Sequence, residues 1–197
     1  MARLSWNKRT EEEVKEIVED LGYFLIKQYS NERSQKRVII RDSIGYKYDV
    51  DLYSLNNYNP YFVGKNNPFS LENISLYLKI NNSNFSLANK NVYDKANSKL
   101  ILHCSKCKDF PEISWVNIQS GVGCGICHGE QIGKYHSLAV QRPDITKEWN
   151  YEYNRKTPND FKVSSGVSAY WKCSVCNYGK NGEWKTSIDA RTGYHEL

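Results

Sequence analysis

The sequence lacks any apolar segment long enough to cross a membrane. A membrane helix needs ~18–20 consecutive apolar residues, whereas the longest apolar runs here are Tyr23–Ile26 and Leu100–Leu102. The N-terminus becomes charged almost at once and has no apolar core of the kind that a secretory signal requires. We therefore expect an intracellular, cytoplasmic protein without a membrane partner.

The sequence also lacks a block of basic residues and has little low-complexity sequence, so nothing in it is typical of a disordered tail. Lys and Arg exceed Asp and Glu by 27 to 22, and the net charge of +5 is spread along the chain. A mild positive charge favours an anionic partner such as nucleic acid, although many proteins with other partners have the same balance. Charge alone leaves the class of partner open.

The six cysteines are better interpreted as metal ligands than as disulfides in an intracellular protein. Cys104 and Cys107 form one Cys-x2-Cys pair, and Cys124 and Cys127 form a second pair. Each such turn points two thiolates at one centre, and two turns supply the tetrahedral cage that Zn2+ prefers. Because four thiolates leave no open position for water, this ion is expected to stabilise the fold and to do no chemistry.

A second, incomplete zinc site is predicted near the end of the sequence. Cys173 and Cys176 repeat the first cysteine pair, and a predicted hairpin at Glu183–Ile188 and a glycine at Gly193 follow them. Where a closing cysteine pair is expected, the sequence reads Tyr194-His195-Glu196-Leu197. Either the motif continues beyond these residues, or His195 supplies a third ligand. Since two thiolates bind zinc weakly, we expect this part to be frayed or poor in metal.

Two stretches of the chain repeat each other with a period of ~60 residues. Val14 matches Ile74, and Val50-Asp51-Leu52 matches Ile113-Ser114-Trp115. The hairpin turn that contains Cys104 and Cys107 in the second copy contains Asp42 and Ser43 in the first. The predicted fold is α+β, an array of small helix–hairpin modules with treble-clef-like or zinc-ribbon-like zinc sites. The predicted modules are residues 1–69 without metal, 70–130 with the four-cysteine site, and 136–197 with a truncated zinc ribbon.

Local patterns set the expected boundaries of the elements. Thr10 and Glu13 form a capping box at the start of the first helix, and Gly22 ends it. A second helix is expected to begin with Ser70 as its cap. The other expectations are strands at Tyr23–Tyr29, Arg37–Arg41, Tyr46–Leu52, Asn84–Leu87, Lys99–His103 and Glu112–Ile118, a loop at Asn56–Pro68, a hairpin at Phe110–Ile118 between the two cysteine pairs, and a helical linker at Ser137–Trp149.

Residues 136–197 resemble the probable zinc-ribbon domain family. The motifs that carry the resemblance are Ser137-Leu138-Ala139-Val140, Pro143-Asp144-Ile145, Glu148-Trp149, Thr157-Pro158-Asn159-Asp160 and Trp171-Lys172-Cys173-x2-Cys176. Upstream, Ser114-Trp115 and Gly123-Cys124 look like segments that accompany such ribbons in phage and mobile-element proteins. The resemblance implies a DNA-associated role, because these ribbons are often fused to Vsr-like or other nuclease domains and are thought to serve there as DNA-binding arms.

The leading prediction is therefore a zinc-stabilised nucleic-acid-binding protein of phage or mobile-element origin, with duplex DNA as its partner. Candidate contacts lie on or beside the predicted hairpins: Lys106, Lys108, Asn117 and Gln119 at the first site, and Lys172, Lys180, Lys185 and Arg191 at the second. For each of these residues, a solvated side chain without a partner is an equally good interpretation. Trp149, Trp171 and Trp184 are expected to pack in the core rather than to stack on bases.

Two functions of other classes stay open. A zinc-dependent module that binds a host or phage protein, as an inhibitor or adaptor, fits the fifteen tyrosines. An endonuclease would use Asp49 and Asp51, with Glu72 or Glu148, as Mg2+ ligands. However, no Glu-x-Lys or His-Asn-His arrangement accompanies these acids, and Asp49 and Asp51 alternate as solvent-facing strand residues do. The sequence therefore does not favour catalysis by this chain.

Overall fold

Short helices and small antiparallel sheets make up the fold. The computed structural model describes residues 8–173 and 182–193. Of these, residues 8–105 and 112–122 form a first unit, and residues 106–111, 123–173 and 182–193 form a second unit. The mixed composition confirms the predicted α+β class. None of the helices in the described ranges has the length and apolar character that crossing a bilayer demands.

The elements of each unit follow in chain order. The first unit contains α1 (Glu11–Asp20), β1 (Phe24–Ser30), β2 (Lys36–Arg41), β3 (Lys47–Asp51), α2 (Leu52–Asn57), α3 (Ser70–Ile80), β4 (Phe85–Leu87), β5 (Lys99–Cys104), β6 (Glu112–Ser114) and α4 (Trp115–Gln119). The second contains α5 (Leu138–Gln141), α6 (Pro143–Thr146), a 3-10 turn at Pro158–Asp160, β7 (Ser168–Lys172), β8 (Glu183–Ser187) and α7 (Ile188–Thr192).

The start and end of α1 confirm the capping prediction. The Glu13 amide donates to Thr10 Oγ1 over 3.2 Å, and the Thr10 amide donates to the Glu13 carboxylate over 2.9 Å. Val14 and Val18 are fully buried one turn apart, as the amphipathic pattern requires. Gly22 adopts a φ of 82° just after the helix, a conformation that glycine adopts without a steric penalty.

The first sheet has the strand order β1-β2-β3 and packs its inner face on α1. Val38 and Ile40 of β2 are fully buried in this core. The chain leaves β3 through Asp51, whose carboxylate accepts hydrogen bonds from the Ser54 amide (2.8 Å) and hydroxyl (2.7 Å). These bonds begin α2, a helix that the sequence patterns did not predict, so the predicted strand ends one residue early at Asp51.

The second sheet has the strand order β4-β5-β6 and shares a core with α3. The predicted cap at Ser70 is wrong, because Ser70 is the first helical residue and Phe69 occupies the cap position. The Ser70 hydroxyl instead donates to the carbonyls of Gly64 (2.7 Å) and Asn67 (2.8 Å). It thus holds the preceding loop against the helix.

The predicted strand Glu112–Ile118 is also wrong beyond Ser114. Ser114 Oγ accepts a hydrogen bond from the Asn117 amide (3.3 Å) and begins α4. Trp115 and Ile118 are three residues apart and both buried, which places them on one face of this helix. No hairpin therefore forms at Phe110–Ile118. The hairpin is β5–β6: Cys104 is the last residue of β5, and Cys107 lies in the turn that follows.

The second unit has its core between α5, α6, β7 and α7. The predicted helical linker Ser137–Trp149 is two short helices, because Pro143 donates no backbone hydrogen bond and restricts the preceding residue. Trp149 and Trp171 are buried, which confirms their predicted core role, and Trp184 packs partly buried against the same cluster. The predicted hairpin at Glu183–Ile188 is wrong: Glu183–Ser187 form the single strand β8, which pairs with β7, and α7 begins at Ile188.

Three hairpins have the same register at their open ends. In each hairpin a short helix follows the second strand, and the residue just before that helix pairs with a residue of the first strand. The pairs are Asp51 with Arg37, Ser114 with Lys99, and Ser187 with Ser168. The next residue in each case is buried: Leu52, Trp115 and Ile188. Counting from these pairs, Asp42 of the β2–β3 hairpin stands at the position of Cys104 and Cys173.

Asp42 closes the β2–β3 hairpin with hydrogen bonds to its own turn. One carboxylate oxygen accepts from the amides of Gly45 (2.8 Å) and Tyr46 (2.9 Å), and the other accepts from the hydroxyl of Tyr48 (2.7 Å). Burial of the Tyr48 ring and its hydrogen bond to Asp42 raise the pKa of that hydroxyl. This carboxylate thus makes a tight turn in the first hairpin without sulfur ligands.

Asp42→Ala is expected to lower the free energy of unfolding by about 1–3 kcal/mol, because it leaves the buried Tyr48 hydroxyl and two turn amides without their acceptor. Urea denaturation followed by circular dichroism measures this difference. Ser43→Ala is the control, since Ser43 is the exposed neighbour in the same turn and should change stability by less than about 0.5 kcal/mol. Equal stability of the two variants would contradict the assigned role.

Candidate metal centre

Four cysteine sulfurs lie together in one cluster. The Sγ atoms of Cys104, Cys107, Cys124 and Cys127 are all within 4.8 Å of one another. The distance between the sulfurs of Cys107 and Cys124 is 3.7 Å, whereas a disulfide requires about 2.05 Å. Four sulfurs at ~2.3 Å from a tetrahedral Zn2+ lie about 3.8 Å from each other. The donor set and its spacing therefore fit one structural Zn2+ ion.

The local backbone sets the position of each cysteine. Cys104 is the last residue of β5 and is fully buried, and Cys107 follows it within the hairpin turn. The turn of the second pair is closed by a hydrogen bond from the His128 amide to the Cys124 carbonyl (3.0 Å). The Cys127 amide donates to the Cys124 sulfur over 3.5 Å. This bond keeps the Cys124 sulfur on the inner side of the turn that also carries Cys127.

The chain reaches the second cysteine pair through a tight turn after α4. The Val122 amide donates to the Asn117 carbonyl (2.9 Å), and Gly121 has a φ of 73°. A Cβ atom at Gly123 would lie 2.5 Å from Cε1 of His128, so the imidazole ring occupies the space beside this glycine. A side chain at position 123 would displace the ring and disturb the turn that carries Cys124.

Asp109 holds the segment after the first cysteine pair in place. It is 1 % exposed and accepts hydrogen bonds from the amides of Phe110 (2.8 Å) and Tyr135 (3.1 Å), and its carboxylate lies 3.1 Å from Nδ1 of His136. Burial opposes ionisation of this carboxyl group, but the two amides and His136 outweigh it, so its pKa lies below the ordinary value. Asp109 thus fixes residues 106–111 against residues 134–136.

The second zinc site is only partly within the described residues. Cys173 follows β7, and its amide donates to the Gly182 carbonyl (2.9 Å). Cys176 and His195 lie outside the described residues, so an incomplete second site stays a prediction. Within residues 8–173 and 182–193, the four-cysteine cluster is the one group of three or more His, Cys, Asp or Glu side chains arranged to hold a metal.

The acidic residues considered for an endonuclease have partners within the fold. The Asp49 carboxylate accepts from Arg37 Nε over 2.8 Å. Asp51 caps α2. Burial raises the pKa of its carboxyl group, but the hydrogen bonds from Ser54 and the other lowering interactions together outweigh burial, so the pKa lies below its ordinary value. Glu72 pairs with Lys47 at 2.8 Å. Each of these carboxylates therefore already has a hydrogen-bond or ion-pair partner in the fold.

The predicted nucleic-acid contacts fall into two groups. Those of the first group are all exposed: Lys106, Lys108, Asn117 and Gln119. In the second group, Lys172 and Lys185 lie on the solvent side of β7 and β8, and Lys180 lies outside the described residues. The Lys185 ammonium is 5.1 Å from the centroid of the Tyr170 ring.

Arg191 differs from the other candidates because it contacts the interior of the second unit. It forms an ion pair with Glu148, and its guanidinium lies 6.0 Å from the Trp171 ring centroid and 5.7 Å from that of Trp184. These contacts assign the side chain a structural role. A contact between Arg191 and nucleic acid stays a prediction.

Exposed aromatic residues beside these lysines were not named individually among the sequence predictions. Tyr151, Tyr153 and Tyr170 are large exposed side chains of the second unit. A period-2 pattern was available as a signal for Tyr170, because Ala169 and Trp171 point inward while Tyr170 and Lys172 point outward along β7. Of the aromatic residues considered as possible stacking groups, only tryptophans were named.

Comparison with known proteins finds one similarity, in the C-terminal part of the chain. Residues 145–196 match the model of a family described as a probable treble clef zinc finger domain. No curated protein is significantly similar to the chain. The match supports the zinc-finger character expected from the sequence. The chain therefore contains a four-cysteine cluster that fits one structural Zn2+ ion, followed by a segment that is similar to a zinc-finger family.

Proposed function

We propose that the protein is a zinc-stabilised nucleic-acid-binding module, similar in role to the DNA-binding arm of a phage or mobile-element nuclease. The observation that carries this proposal is the outer hairpin face, which we define as the solvent side of β7–β8 formed by Ser168, Tyr170, Lys172 and Lys185. All four side chains are exposed, and they belong to the segment that matches a zinc-finger family.

The charges on the outer hairpin face are suited to phosphate contacts. Lys185 forms no ion pair with any residue that the structure describes. Its ammonium lies over the exposed Tyr170 ring, a contact that it can exchange for a phosphate oxygen. Lys172 lies 3.7 Å from Glu183, and its side chain is 57 % exposed. An exposed ion pair of this kind contributes little to stability. Lys172 can therefore exchange its carboxylate partner for a phosphate at small cost.

The four-cysteine cluster adds a second basic turn. Lys106 lies between two of the sulfur ligands, and Lys108 follows the second one in a left-handed conformation with a φ of 59°. A Zn2+ ion held by the surrounding thiolates would make this turn rigid. Phosphate contacts of this type fix the position of a protein on nucleic acid without reading its sequence.

Replacing both lysines of the outer hairpin face is expected to weaken nucleic-acid binding about tenfold at low salt, because each removes one phosphate contact. The measurement is fluorescence anisotropy of the zinc-loaded full chain with labelled random-sequence duplex and single-stranded DNA, comparing wild type with Lys172→Gln/Lys185→Gln. The apparent affinity should also fall less steeply with salt concentration in the variant.

The matched control is Lys15→Gln/Lys79→Gln, which removes the same charge from exposed lysines of α1 and α3. Circular dichroism confirms that both variants are folded. The proposal fails if wild-type protein binds neither DNA at concentrations of tens of micromolar. It also fails if the control variant weakens binding as much as the outer-face variant does.

A module that binds another protein is the second candidate function. In the first unit, Tyr58 and Tyr61 are 69 % and 85 % exposed and lie at the edge of a cavity of 440 Å³ that also contacts Arg37 and Asp51. Exposed tyrosines are enriched at protein interfaces. A stable complex with a protein, together with indifference to DNA in the anisotropy experiment, would favour this function over the first.

A further inference from the structure

We infer that the outer hairpin face, together with Tyr153, binds single-stranded nucleic acid by stacking bases on Tyr153 and Tyr170. This inference rests on the proposed nucleic-acid binding and adds that the nucleic acid is single-stranded. It differs from the duplex DNA expected from the sequence. It also assigns a role to aromatic side chains that the zinc cluster and the apolar core leave unexplained.

The two tyrosine rings form an exposed pair. Their centroids lie 5.5 Å apart with an angle of 44° between the ring planes. Tyr153 is 57 % exposed and Tyr170 is 37 % exposed, and neither belongs to the apolar cluster of the second unit. Packing in the core therefore does not account for two large rings at these positions.

Two asparagines hold the backbone of both tyrosines in position before any ligand binds. The Asn154 side chain donates to the Tyr170 carbonyl (2.7 Å) and accepts from the Tyr170 amide (2.9 Å). Asn150 is 4 % exposed, and its side-chain oxygen accepts from the amides of Glu152 (3.0 Å) and Tyr153 (3.4 Å). The loop that carries Tyr153 is thus attached to β7. Because the backbone that carries the two rings is already held, less conformational entropy is lost when a base stacks on them.

Charge and ring geometry together favour a single strand as the ligand. Lys185 pairs with Tyr170 across the hairpin, and its ammonium lies over that ring, 5.1 Å from the ring centroid. A base that stacks on this face of Tyr170 would take the place of the ammonium, which would then be free to contact the phosphate of the same nucleotide. In a duplex the faces of the bases are covered by their neighbours, whereas a single strand exposes them to aromatic side chains.

The test compares two fluorescein-labelled probes with the zinc-loaded full chain: an oligothymidine of about 12 nucleotides and a blunt duplex of the same length. We expect tighter binding of the single strand. Tyr153→Ala and Tyr170→Ala should each weaken oligothymidine binding by about five- to a hundredfold, since base stacking on one aromatic ring contributes in that range. Tyr153→Phe and Tyr170→Phe should bind within about twofold of wild type, because they keep the ring.

The matched control is Tyr61→Ala, which removes an exposed ring from the first unit and should leave binding unchanged. This inference is overturned if both alanine variants bind oligothymidine as tightly as wild type does, or if wild type binds the duplex more tightly than the single strand. If in that case Lys172→Gln/Lys185→Gln still weakens binding, the proposed nucleic-acid binding stands without the stacking. If neither probe binds to wild-type protein, the proposed function itself fails, and the inference fails with it.

Discussion

Cys124→Ser is expected to release the structural Zn2+ ion and to abolish or strongly weaken the cooperative thermal unfolding transition. Cys124 is 6 % exposed, and its sulfur lies 3.7 Å from that of Cys107 and accepts a hydrogen bond from the Cys127 amide. Structural zinc contributes on the order of 10–16 kcal/mol to the folding of zinc-finger peptides. Without one of its four thiolate ligands, the ion is bound much more weakly and contributes much less to the free energy of folding.

Native mass spectrometry counts the bound ions, and circular dichroism follows thermal unfolding of the same samples. Cys173→Ser is the control, because Cys173 is not a member of the four-sulfur cluster and its loss should leave that ion in place. A chelator added to wild-type protein should reproduce the effect of Cys124→Ser. Purified wild-type protein that contains no metal and still unfolds cooperatively would contradict the assignment of a structural zinc site.

The sulfur cluster was predictable because its ligands come in two short-range pairs. A Cys-x2-Cys turn fixes the separation of its two thiolates locally, so the sequence needs to specify only that two such turns meet. The same reasoning applied to the start of α1, where Thr10 and Glu13 cap the helix through mutual hydrogen bonds. Both features depend on pairs of residues three positions apart, and the sequence shows each pair directly.

The short helices after each hairpin were not predictable from periodicity. Ile113 and Trp115 fit a strand pattern, whereas Trp115 and Ile118 fit a helix, so the sequence is ambiguous over these few residues. The capping hydrogen bond at Ser114 resolves the ambiguity. Asp51 does the same before α2. A helix of five or six residues offers too few positions for its period to be seen.

The roles of Arg191 and Tyr170 depend on contacts between distant parts of the sequence. Arg191 pairs with Glu148 from 43 residues away, and Asn154 is bonded to Tyr170 from 16 residues away. Charge alone made Arg191 a candidate for phosphate binding, although it contacts two tryptophan rings. Only the folded chain distinguishes a structural arginine from one that is available to a ligand.

The common register of the three hairpins gives a physical meaning to the predicted repeat. Asp42 stands where Cys104 stands in the second hairpin, and its carboxylate accepts two amide hydrogen bonds from the turn. A thiolate stabilises its turn by binding zinc, and a carboxylate stabilises its turn by accepting hydrogen bonds from backbone amides. The division of the chain into tandem modules stays a prediction, and the Asp42→Ala experiment tests its chemical basis.

Trp171→Ala is expected to lower the free energy of unfolding by about 3–5 kcal/mol, as the truncation of a buried tryptophan generally does. Trp171 is fully buried, its ring lies 5.1 Å from that of Trp149 in an edge-on arrangement, and its Nε1 donates to the Thr186 carbonyl over 3.2 Å. The substitution removes this packing and leaves a cavity in a core formed by few residues.

Urea denaturation of zinc-loaded protein, followed by circular dichroism, measures this loss. Trp171→Phe separates its two causes, because it keeps an aromatic ring and removes the hydrogen bond, so an intermediate loss of about 1–2 kcal/mol is expected. Tyr170→Ala removes the neighbouring exposed ring of the same strand and should cost less than about 1 kcal/mol. If Trp171→Ala is no less stable than Tyr170→Ala, the inward direction of Trp171 is wrong. The assignment of Tyr170 to the outer hairpin face would then be wrong too, because neighbouring side chains of a strand point to opposite sides of the sheet.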